Sequence, residues 1–344
     1  MSGGVDSSVA AALLVEQGHE VVGATLKLWG GESDSGCCSV ADVEDARRVA
    51  QQLGIDHHVF NLTDEFDRAV VAPYVEEHAR GRTPNPCIEC NRTMKFDRLL
   101  ARSERLGFDL LATGHHARVS GEGVRRLRRG ADEAKDQSYV LSMLGQEALA
   151  RVVFPVGDLT KDEVRAQARR LGLRTAAKPD SQDVCFISST EGRAGFLSER
   201  LPLHPAEVVD AEGNAAGSVE AVELVTVGQR RGMGHGHDGT RRYVTSVDVA
   251  ARRVTVGTAE QVLRASVVLR EASLTWVDGP LPAGARAVAQ VSAHGRPVPC
   301  TLVRDAAGFA VCFDSPQRAV APGQTVALYD ASDPDAVLGA GIAA

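Results

Sequence analysis

Residues 1–14, MSGGVDSSVAAALL, decide the fold, because a glycine-rich turn runs directly into an apolar helix pattern. Consecutive small residues form a nest of backbone N–H groups at a helix N-terminus, where the helix dipole favours an anion. Ser7 and Ser8 add two hydroxyl groups to this nest. A Walker A loop would carry a lysine after its last glycine, and this loop has none. The stretch therefore predicts a phosphate-binding loop of another kind, with a plain helix N-cap as the alternative.

Helix and strand patterns alternate through the first half of the chain. Helix patterns cover residues 7–18 and 40–54, and strand patterns cover residues 20–29, 56–62 and 108–116. The second helix pattern places Val40, Val43, Ala46, Ala50 and Leu53 on one helical face. This alternation predicts an α/β fold with a doubly wound parallel sheet, whose ligands bind at the carboxyl ends of the strands.

The pattern changes near residue 190, where helical periodicity gives way to short strands separated by Gly, Pro and Asp. Such spacing predicts a small central β-rich domain followed by a C-terminal β-barrel. We therefore expect three domains, at residues 1–190, 191–258 and 259–344.

Composition narrows the class of protein. The chain has 344 residues, is 44% hydrophobic and has a formal net charge of −7. No apolar run approaches the roughly 20 residues that span a bilayer, and no signal peptide is visible, so we expect a cytoplasmic protein without a membrane partner. The negative charge disfavours general nucleic-acid binding. Arginines nevertheless cluster at 123–130, 228–232 and 240–243, either as solvated faces or as a local basic groove.

Three of the seven cysteines lie in chemically suggestive places. Cys87 and Cys90 have CxxC spacing between prolines and a helical run, and Cys185 follows the acidic, polar stretch KPDSQDV. A thiolate can attack an activated carbon while a second thiol carries sulfur. Structural zinc is the alternative, but it requires four ligands and no second CxxC is present. The remaining cysteines are interpreted as non-catalytic, namely Cys37, Cys38, Cys300 and Cys312.

Several ordered motifs carry a family resemblance. They are SGGVDSS, GRTPNPCIECNRTMKF, LLATGHHAR, KDQSYVL, FPVGDLTKDEVR, KPDSQDVCFI and TVGQRRGMG, in that order between residue 2 and about residue 234. The first resembles the PP-loop of the ATP pyrophosphatase superfamily, whose fold is adenine nucleotide alpha hydrolase-like. The complete set resembles the tRNA-specific 2-thiouridylases, with weaker similarity in VPCTL and VAPGQTVALYD.

The resemblance implies ATP-dependent 2-thiolation of the wobble uridine of tRNA, with Mg²⁺ neutralising the phosphates. ATP would adenylate the C2 oxygen, a persulfide would deliver sulfur, and AMP would leave. Cys90 matches the nucleophile, and Cys185 matches the persulfide carrier. A persulfide sulfur donor protein would supply the sulfur to Cys185. The implied ATP contacts are Ser2, Gly3, Gly4, Val5, Asp6, Ser7, Ser8, Leu26 and Gly114. The implied tRNA contacts are Asn85, Pro86, Cys87, His115, Lys135, Asp136, Gln137 and Gln324, with Asn85–Cys87 at the target base.

Two positions depart from the family pattern. Many members have Asp where this chain has Cys87, so Cys87, Cys90 and Cys185 form a three-thiol set that could hold a [4Fe–4S] cluster with one open position. A cluster route and a persulfide route therefore both stay open. An Arg-Tyr pair that some members use to contact tRNA falls on Ser292 and Ala293.

The glycine-rich loop follows only Met1, although such a loop normally hangs from a strand. Family members carry a short apolar strand at this place. Because unsatisfied buried backbone groups cost roughly 1–3 kcal/mol each, we expect the natural protein to have about 5–10 further residues forming that strand.

Three other functions remain open from the sequence. One is a PP-loop tRNA thiolase that uses an iron–sulfur cluster at another nucleotide. Another is a catalytically inactive RNA-binding module, and the third is a PP-loop ligase that amidates small metabolites. His115 and His116, in particular, are also consistent with satisfied histidines at a strand end.

Overall fold

The structure is a computed structural model that describes residues 1–29, 39–180, 184–188, 190–236, 239–305 and 308–344. Cys37 and Cys38 lie outside these residues. The chain divides into two compact units. The first unit comprises Met1–Val70, Cys87–Gly192 and Asp335–Val337, and the second comprises Val71–Pro86, Arg193–Pro334 and Leu338–Ala344.

The helical elements of the described residues vary from one turn to three or four. The α-helices are α1 (Val5–Glu16), α2 (Val40–Leu53), α3 (Thr63–Phe66), α4 (Ala72–Ala79), α5 (Pro86–Glu89), α6 (Leu100–Arg105), α7 (Ser138–Leu141), α8 (Gln146–Leu149), α9 (Lys161–Arg170) and α10 (Gly192–Ser198). π-Helical segments cover Asp67–Val71 and Cys90–Leu99, and 3₁₀ turns cover Arg174–Ala177, Val222–Leu224 and Glu271–Ser273.

Strands dominate the second half of the chain. They are β1 (Val22–Lys27), β2 (Asp56–Asn61), β3 (Leu111–Ala112), β4 (Ala117–Ser120), β5 (Arg126–Arg129), β6 (Val152–Val153), β7 (Ala206–Val209), β8 (Ala215–Val219), β9 (Tyr243–Asp248), β10 (Arg253–Gly257), β11 (Leu263–Leu269), β12 (Thr275–Trp276), β13 (Arg286–Gln290), β14 (Val298–Asp305), β15 (Gly308–Arg318), β16 (Thr325–Asp330) and β17 (Val337–Ile342).

Parallel strands and helices alternate in the first unit, which confirms the predicted α/β class. β1 pairs in parallel with β2, and β3 pairs in parallel with β6. Met1 lies beside β1, where its carbonyl accepts a hydrogen bond from the Thr25 hydroxyl at 2.6 Å. β4 and β5 form an antiparallel hairpin. The predicted parallel arrangement is thus present as two strand pairs.

Helix α2 has the predicted position but a different buried face. It ends at Gly54 in the left-handed conformation, as its sequence indicates. Ala46 and Ala50 are buried, but Val40 is 69% exposed and Val49 is fully buried. Val40 therefore lies outside the core, although the pattern places it on the apolar face. Val40 is the first residue of the helix, where a side chain projects beyond the layer that the later turns cover.

The core of the first unit joins the glycine-rich N-terminus to later helices. Its buried residues come from α1, α2, α9 and the loops around α9: Val5, Val9, Ala10, Val49, Val156, Val164, Ala168 and Leu173. α9 begins with a capping box in which Thr160 and Glu163 satisfy each other's backbone N–H groups. This packing fixes the first residue of α9 relative to α1.

The second unit contains two sheets, which confirms a β-rich centre followed by a curled C-terminal sheet. The central sheet has the order β8-β7-β10-β9, and the C-terminal sheet has the order β11-β15-β14-β13-β16-β17-β12. A bridge between Leu269 and Ala343 joins the first strand of the larger sheet to the segment after its last. Alternate residues such as Leu302, Val311 and Leu328 fill its core.

In the part of the chain that the structure describes, each helix is too short or too polar to cross a bilayer.

Candidate functional site

The glycine-rich loop is held by its own hydroxyl groups. Ser7 Oγ and Ser8 Oγ donate to the carbonyl of Gly4 at 3.2 Å and 2.8 Å, and the backbone N–H of Ser2 donates to Ser7 Oγ at 3.1 Å. Gly4 is the N-cap and has no side chain to cap the helix. The serines therefore stabilise the turn rather than cap α1 in the ordinary way.

Two glycines allow close approaches that any side chain would block. Gly3 has φ +72°, and a Cβ there would lie 2.3 Å from the carbonyl oxygen of Asp42. A Cβ on Gly114 would lie 2.5 Å from the backbone nitrogen of Ser7. The segment after β3 thus packs directly on the loop, so the structure brings together Gly114 and the loop residues that the sequence singled out. Leu26 is half-buried on β1, opposite Phe60 of β2.

A chain of charges extends from Asp6, whose side chain lies in the first turn of α1. Lys161 Nζ lies 2.7 Å from both carboxylate oxygens of Asp6 and 2.8 Å from Asp180 Oδ1. His116 Nε2 lies 3.3 Å from Asp6 Oδ1. Burial alone would raise the pKa of Asp6, but hydrogen bonds from His116 and Lys161 hold it below its ordinary value. Asp6 is therefore ionised at neutral pH.

Asp180 is the second carboxylate of this network. Lys135 and Arg165 each contact it, at 2.8 Å and 2.9 Å. Burial opposes ionisation, yet hydrogen bonds from Lys135 and Lys161 lower the pKa of Asp180 to about 2. Lys178 forms two separate salt bridges, with Asp42 and with Asp45 of α2. The loop is thus surrounded by fixed charges of both signs.

Sequence reasoning missed Lys161, Arg165 and Asp180 as members of this site. Lys161 and Arg165 lie within FPVGDLTKDEVR and Asp180 lies within KPDSQDVCFI, so the motifs contained them without indicating their role. One local signal exists. Lys161 is the first residue of α9, where the positive end of the helix dipole disfavours a cation. A lysine in this place, only 9% exposed, requires a compensating anion.

The KDQ segment, residues 135–137, makes hydrogen bonds and an ion pair to residues of the same site. Gln137 Oε1 accepts from the backbone N–H of His116, and the N–H of Gln137 donates to the carbonyl of His116, both at 2.9 Å. Asp136 accepts from the backbone N–H groups of Gly130 and Ser138, each at 3.0 Å. Asp136 and Gln137 therefore form hydrogen bonds within the first unit, whereas Lys135 forms an ion pair with Asp180.

The paired histidines are both buried. The ring of His115 packs against Phe96 and Phe154, and burial holds its pKa well below the ordinary value. Its Nδ1 lies 2.7 Å from the hydroxyl of Thr113. Nδ1 of His116 is buried without a hydrogen-bond partner among the described residues. His115 thus has the surroundings of a satisfied core histidine in this structure, and its contact with tRNA stays a prediction.

The three singled-out thiols differ in exposure. Cys87 is exposed on α5, Cys185 is half-buried, and Cys90 is 8% exposed at the start of a π-helical segment. Pro86 is buried, and within the one-turn helix α5 Cys87 is the exposed residue. Within the described ranges, no group of three His, Cys, Asp or Glu side chains is arranged to hold a metal ion.

Cys300 has the character of a structural thiol. It is fully buried in the C-terminal sheet, and burial raises its pKa to about 11. A thiol with so high a pKa stays protonated and unreactive at neutral pH.

In the second unit, Gln324 contacts the segment that precedes Asn85. Its Nε2 donates to the carbonyl of Thr83, and the N–H of Thr83 donates to the carbonyl of Pro322 at 2.7 Å. Gly323, with φ +91°, permits this approach, because a Cβ there would lie 3.1 Å from the nitrogen of Thr83. The structure thus brings Gln324 close to the residues expected at the target base.

The glycine-rich loop that leads into α1, with the segment after the parallel strand β3 packed on it, defines an α/β protein with a candidate phosphate-binding loop. Three family models match: the tRNA methyl transferase HUP domain over residues 1–189, the tRNA methyl transferase PRC-barrel domain over 194–258, and the aminomethyltransferase beta-barrel domain over 267–343. The chain is 46% identical over 99% of its length to the tRNA-specific 2-thiouridylase MnmA of Roseiflexus sp., covering 97% of that protein.

Another relative is the tRNA-specific 2-thiouridylase MnmA of Geobacter metallireducens, which is 45% identical over 99% of this chain and 94% of its own. This chain belongs to the family of the tRNA-specific 2-thiouridylases. Among solved structures, the U34-tRNA thiolase NcsA from Methanococcus maripaludis with its [4Fe-4S] cluster aligns with a TM-score of 0.36 and 20% identity, over 58% of this chain and 60% of that one. A likeness this low supports no conclusion about this chain.

Proposed function

We propose that this protein is a tRNA-uridine 2-sulfurtransferase that uses ATP to replace the C2 oxygen of the wobble uridine with sulfur. The observation that carries the proposal is the 46% identity to a tRNA-specific 2-thiouridylase over 99% of this chain. The domains proposed for this task are residues 1–190, 191–258 and 259–344. The first would bind ATP and carry the chemistry, and we place the reaction in the cytoplasm.

ATP would bind at the glycine-rich loop, through Ser2, Gly3, Gly4, Val5, Asp6, Ser7 and Ser8 together with Leu26 and Gly114. The close approach of Gly114 to the loop supports this, since it places the segment after β3 directly against the N-terminus of α1, where a helix favours an anion. Asp6 offers carboxylate oxygens of the kind that Mg²⁺ prefers. Mg²⁺, when bound, would neutralise charge on the phosphates. Lys161 would orient Asp6 for that task.

Sulfur transfer would use two thiols. After the uridine C2 oxygen attacks the α-phosphorus of ATP, pyrophosphate leaves and the oxygen carries AMP. The terminal sulfur of a Cys185 persulfide then bonds to C2, and the C2–O bond breaks to release AMP. Cys90 attacks the inner sulfur of the persulfide, so that the S–S bond breaks and a Cys90–Cys185 disulfide forms. A thiol reductant must reduce this disulfide, and a persulfide donor protein must reload Cys185, before the next cycle.

The tRNA would be contacted by Asn85, Pro86 and Cys87 at the target base. Further contacts would come from His115, Lys135, Asp136, Gln137 and Gln324. The hydrogen bond from Gln324 to Thr83 supports a common role for Gln324 and the segment that ends at Cys87. The steps above follow the persulfide route, and no step is derived through an iron–sulfur cluster.

Mass spectrometry of nucleosides tests the function. Unmodified tRNA is incubated with the protein, ATP, Mg²⁺ and a persulfide donor, and the expected product is 2-thiouridine with one AMP per thiolation. A parallel reaction with S-adenosylmethionine addresses the methyl transfer that the family-model descriptions name. A methylated uridine in that reaction, without thiolation in the first, would refute the proposal. So would AMP formation that does not depend on tRNA, or a requirement for about four irons per chain.

A further inference from the structure

Three strand ends meet in the second unit around an open cavity of about 290 Å³. Tyr243 begins β9, Leu263 begins β11 and Arg318 ends β15, where Leu263 and Arg318 are cross-strand partners. The complete lining is Tyr243, Ala259, Glu260, Val262, Leu263 and Arg318. Small-molecule pockets typically measure roughly 300–1,000 Å³. This cavity is therefore large enough for one planar ring system and little more.

The lining has the chemistry of a stacking site. The guanidinium of Arg318 lies over the ring of Tyr243, 5.3 Å from its centroid. Leu263 is 41% exposed, so one wall of the cavity is apolar and open to solvent. The carboxylate of Glu260 accepts a hydrogen bond from the Thr258 hydroxyl at 2.7 Å and retains acceptor capacity. An aromatic ring, a planar cation and one acceptor together are suited to an unstacked nucleobase.

The cavity lies beside the arginine-rich loop at 228–232. The N–H of Gly228 donates to the carbonyl of Val244 at 2.8 Å, and the N–H of Val244 donates to the carbonyl of Gln229 at 2.9 Å. A Cβ on Gly228 would lie 3.4 Å from Cδ of Arg318, so this loop packs directly against the cavity wall. The next two residues, Arg230 and Arg231, are exposed. Positive charges of this kind are suited to contact with a phosphate backbone.

We propose that this cavity captures one unpaired nucleotide of the tRNA substrate, with the base against Tyr243 and Arg318 and the neighbouring phosphates near Arg230 and Arg231. The proposal rests on the proposed function only in requiring that tRNA is bound. It assigns a role to an arginine cluster that the sequence left open between a solvated face and a basic groove. The contact is remote in sequence from the residues expected at the target base.

Binding measurements with the full chain and unmodified tRNA test this site. Tyr243 is half-buried, and Tyr243→Ala removes one base–aromatic stack, so it should weaken tRNA binding about 5- to 10-fold. Tyr243→Phe keeps the ring and should bind within about 2-fold of wild type. Because stacking releases no counterion, Tyr243→Ala should leave the salt dependence of binding unchanged. Thermal unfolding of each variant verifies that it is folded.

Arg304→Ala serves as a matched control for Arg318→Ala. Arg304 is exposed on β14, near the end of β15 opposite to Arg318, and it contacts Glu271. We expect Arg318→Ala to weaken tRNA binding several-fold and Arg304→Ala to have little effect. Equal effects of the two variants would mean that only the total charge of the protein matters. That result would refute the proposed capture of a base in this cavity.

Abasic tRNAs identify the captured nucleotide. Unpaired positions are made abasic one at a time, and each tRNA is tested against wild type and Tyr243→Ala. One position should weaken binding to wild type about 5- to 10-fold yet have no effect on Tyr243→Ala, because both changes remove the same contact. If wild type binds tRNA but Tyr243→Ala binds equally well, or if all positions are additive, the inference fails and the proposed function stands. Wild type that does not bind tRNA would instead refute the proposed function.

Discussion

Replacing Lys161 by Met tests whether the ion pairs beside the glycine-rich loop hold it in place. Lys161 Nζ contacts both oxygens of Asp6 at 2.7 Å and Asp180 at 2.8 Å. Met keeps most of the buried stem and removes only the charge. Asp6 then retains His116, and Asp180 retains Lys135 and Arg165. The variant therefore has two carboxylates whose strongest shared partner is missing.

The expected loss in the free energy of unfolding depends on how deeply the two ion pairs of Lys161 are buried. Removing one partner of a fully buried ion pair costs about 3–5 kcal/mol. The side chains of Asp6 and Asp180 are 30% and 20% exposed, so water compensates part of that loss. We expect Lys161→Met to lower the free energy of unfolding of the first unit by about 2 kcal/mol at pH 7. Lys135→Met is the matched control. It removes a contact with Asp180 alone and should cost less than about 1 kcal/mol.

The lowered pKa values of Asp6 and Asp180 determine the direction in which stability changes with pH. The pKa of Asp180 is about 2 in the folded protein against 3.8 for an ordinary Asp, and that of Asp6 is also lowered. The unfolded state therefore binds more protons between these values, and stability falls as pH drops through this window. A tenfold difference in proton affinity corresponds to about 1.4 kcal/mol, so Asp180 contributes at most about 2.5 kcal/mol before solvent screening. The gap between wild type and Lys161→Met should close as pH approaches 2.

Urea unfolding at pH 7, 5 and 3 measures this gap. The chain has two tryptophans, and in a Trp276→Phe background Trp29 reports on the first unit alone. The midpoint should shift with pH while the slope with urea stays constant. If the difference between wild type and Lys161→Met is the same at pH 7 and pH 3, its cause is side-chain packing. The electrostatic reasoning would then be refuted.

Three further predictions concern activity. Cys90→Ser and Cys185→Ser should each abolish 2-thiouridine formation while tRNA and ATP binding remain, since a serine hydroxyl is a poor nucleophile near neutral pH; thiolation retained by Cys185→Ser would exclude the persulfide role. Replacing Arg230 and Arg231 together by Ala should weaken tRNA binding and flatten its salt dependence by about two phosphate contacts, with ATP affinity unchanged; an unaltered salt slope would return both to a solvated face. Gly114→Ala should weaken ATP binding at least tenfold, because its Cβ would lie 2.5 Å from the nitrogen of Ser7; equilibrium dialysis with labelled ATP measures this, and wild-type affinity would mean that the loop does not need that approach.

Local sequence determined the elements and their order. The glycine-rich turn, the left-handed Gly54 that ends α2 and the alternating β-strands after residue 190 each follow from backbone preferences and apolar periodicity within a few residues. These signals are local, so the α/β class and the β-rich second half could be predicted without any knowledge of contacts. The motifs likewise indicated the family, because they are read in sequence order.

Tertiary structure alone decided which charges meet and which side chains are buried. Lys161 and Asp6 are 155 residues apart in the chain, and the packing of α9 against α1 brings them to 2.7 Å. His115 and Val40 show the reverse case. His115, which matches a tRNA contact by resemblance, packs against two phenylalanines, and Val40, on the apolar face of its helix pattern, is 69% exposed at the start of α2. Periodicity predicts the face that an element presents, but burial and ion pairing depend on what other elements place against that face, which no local pattern specifies.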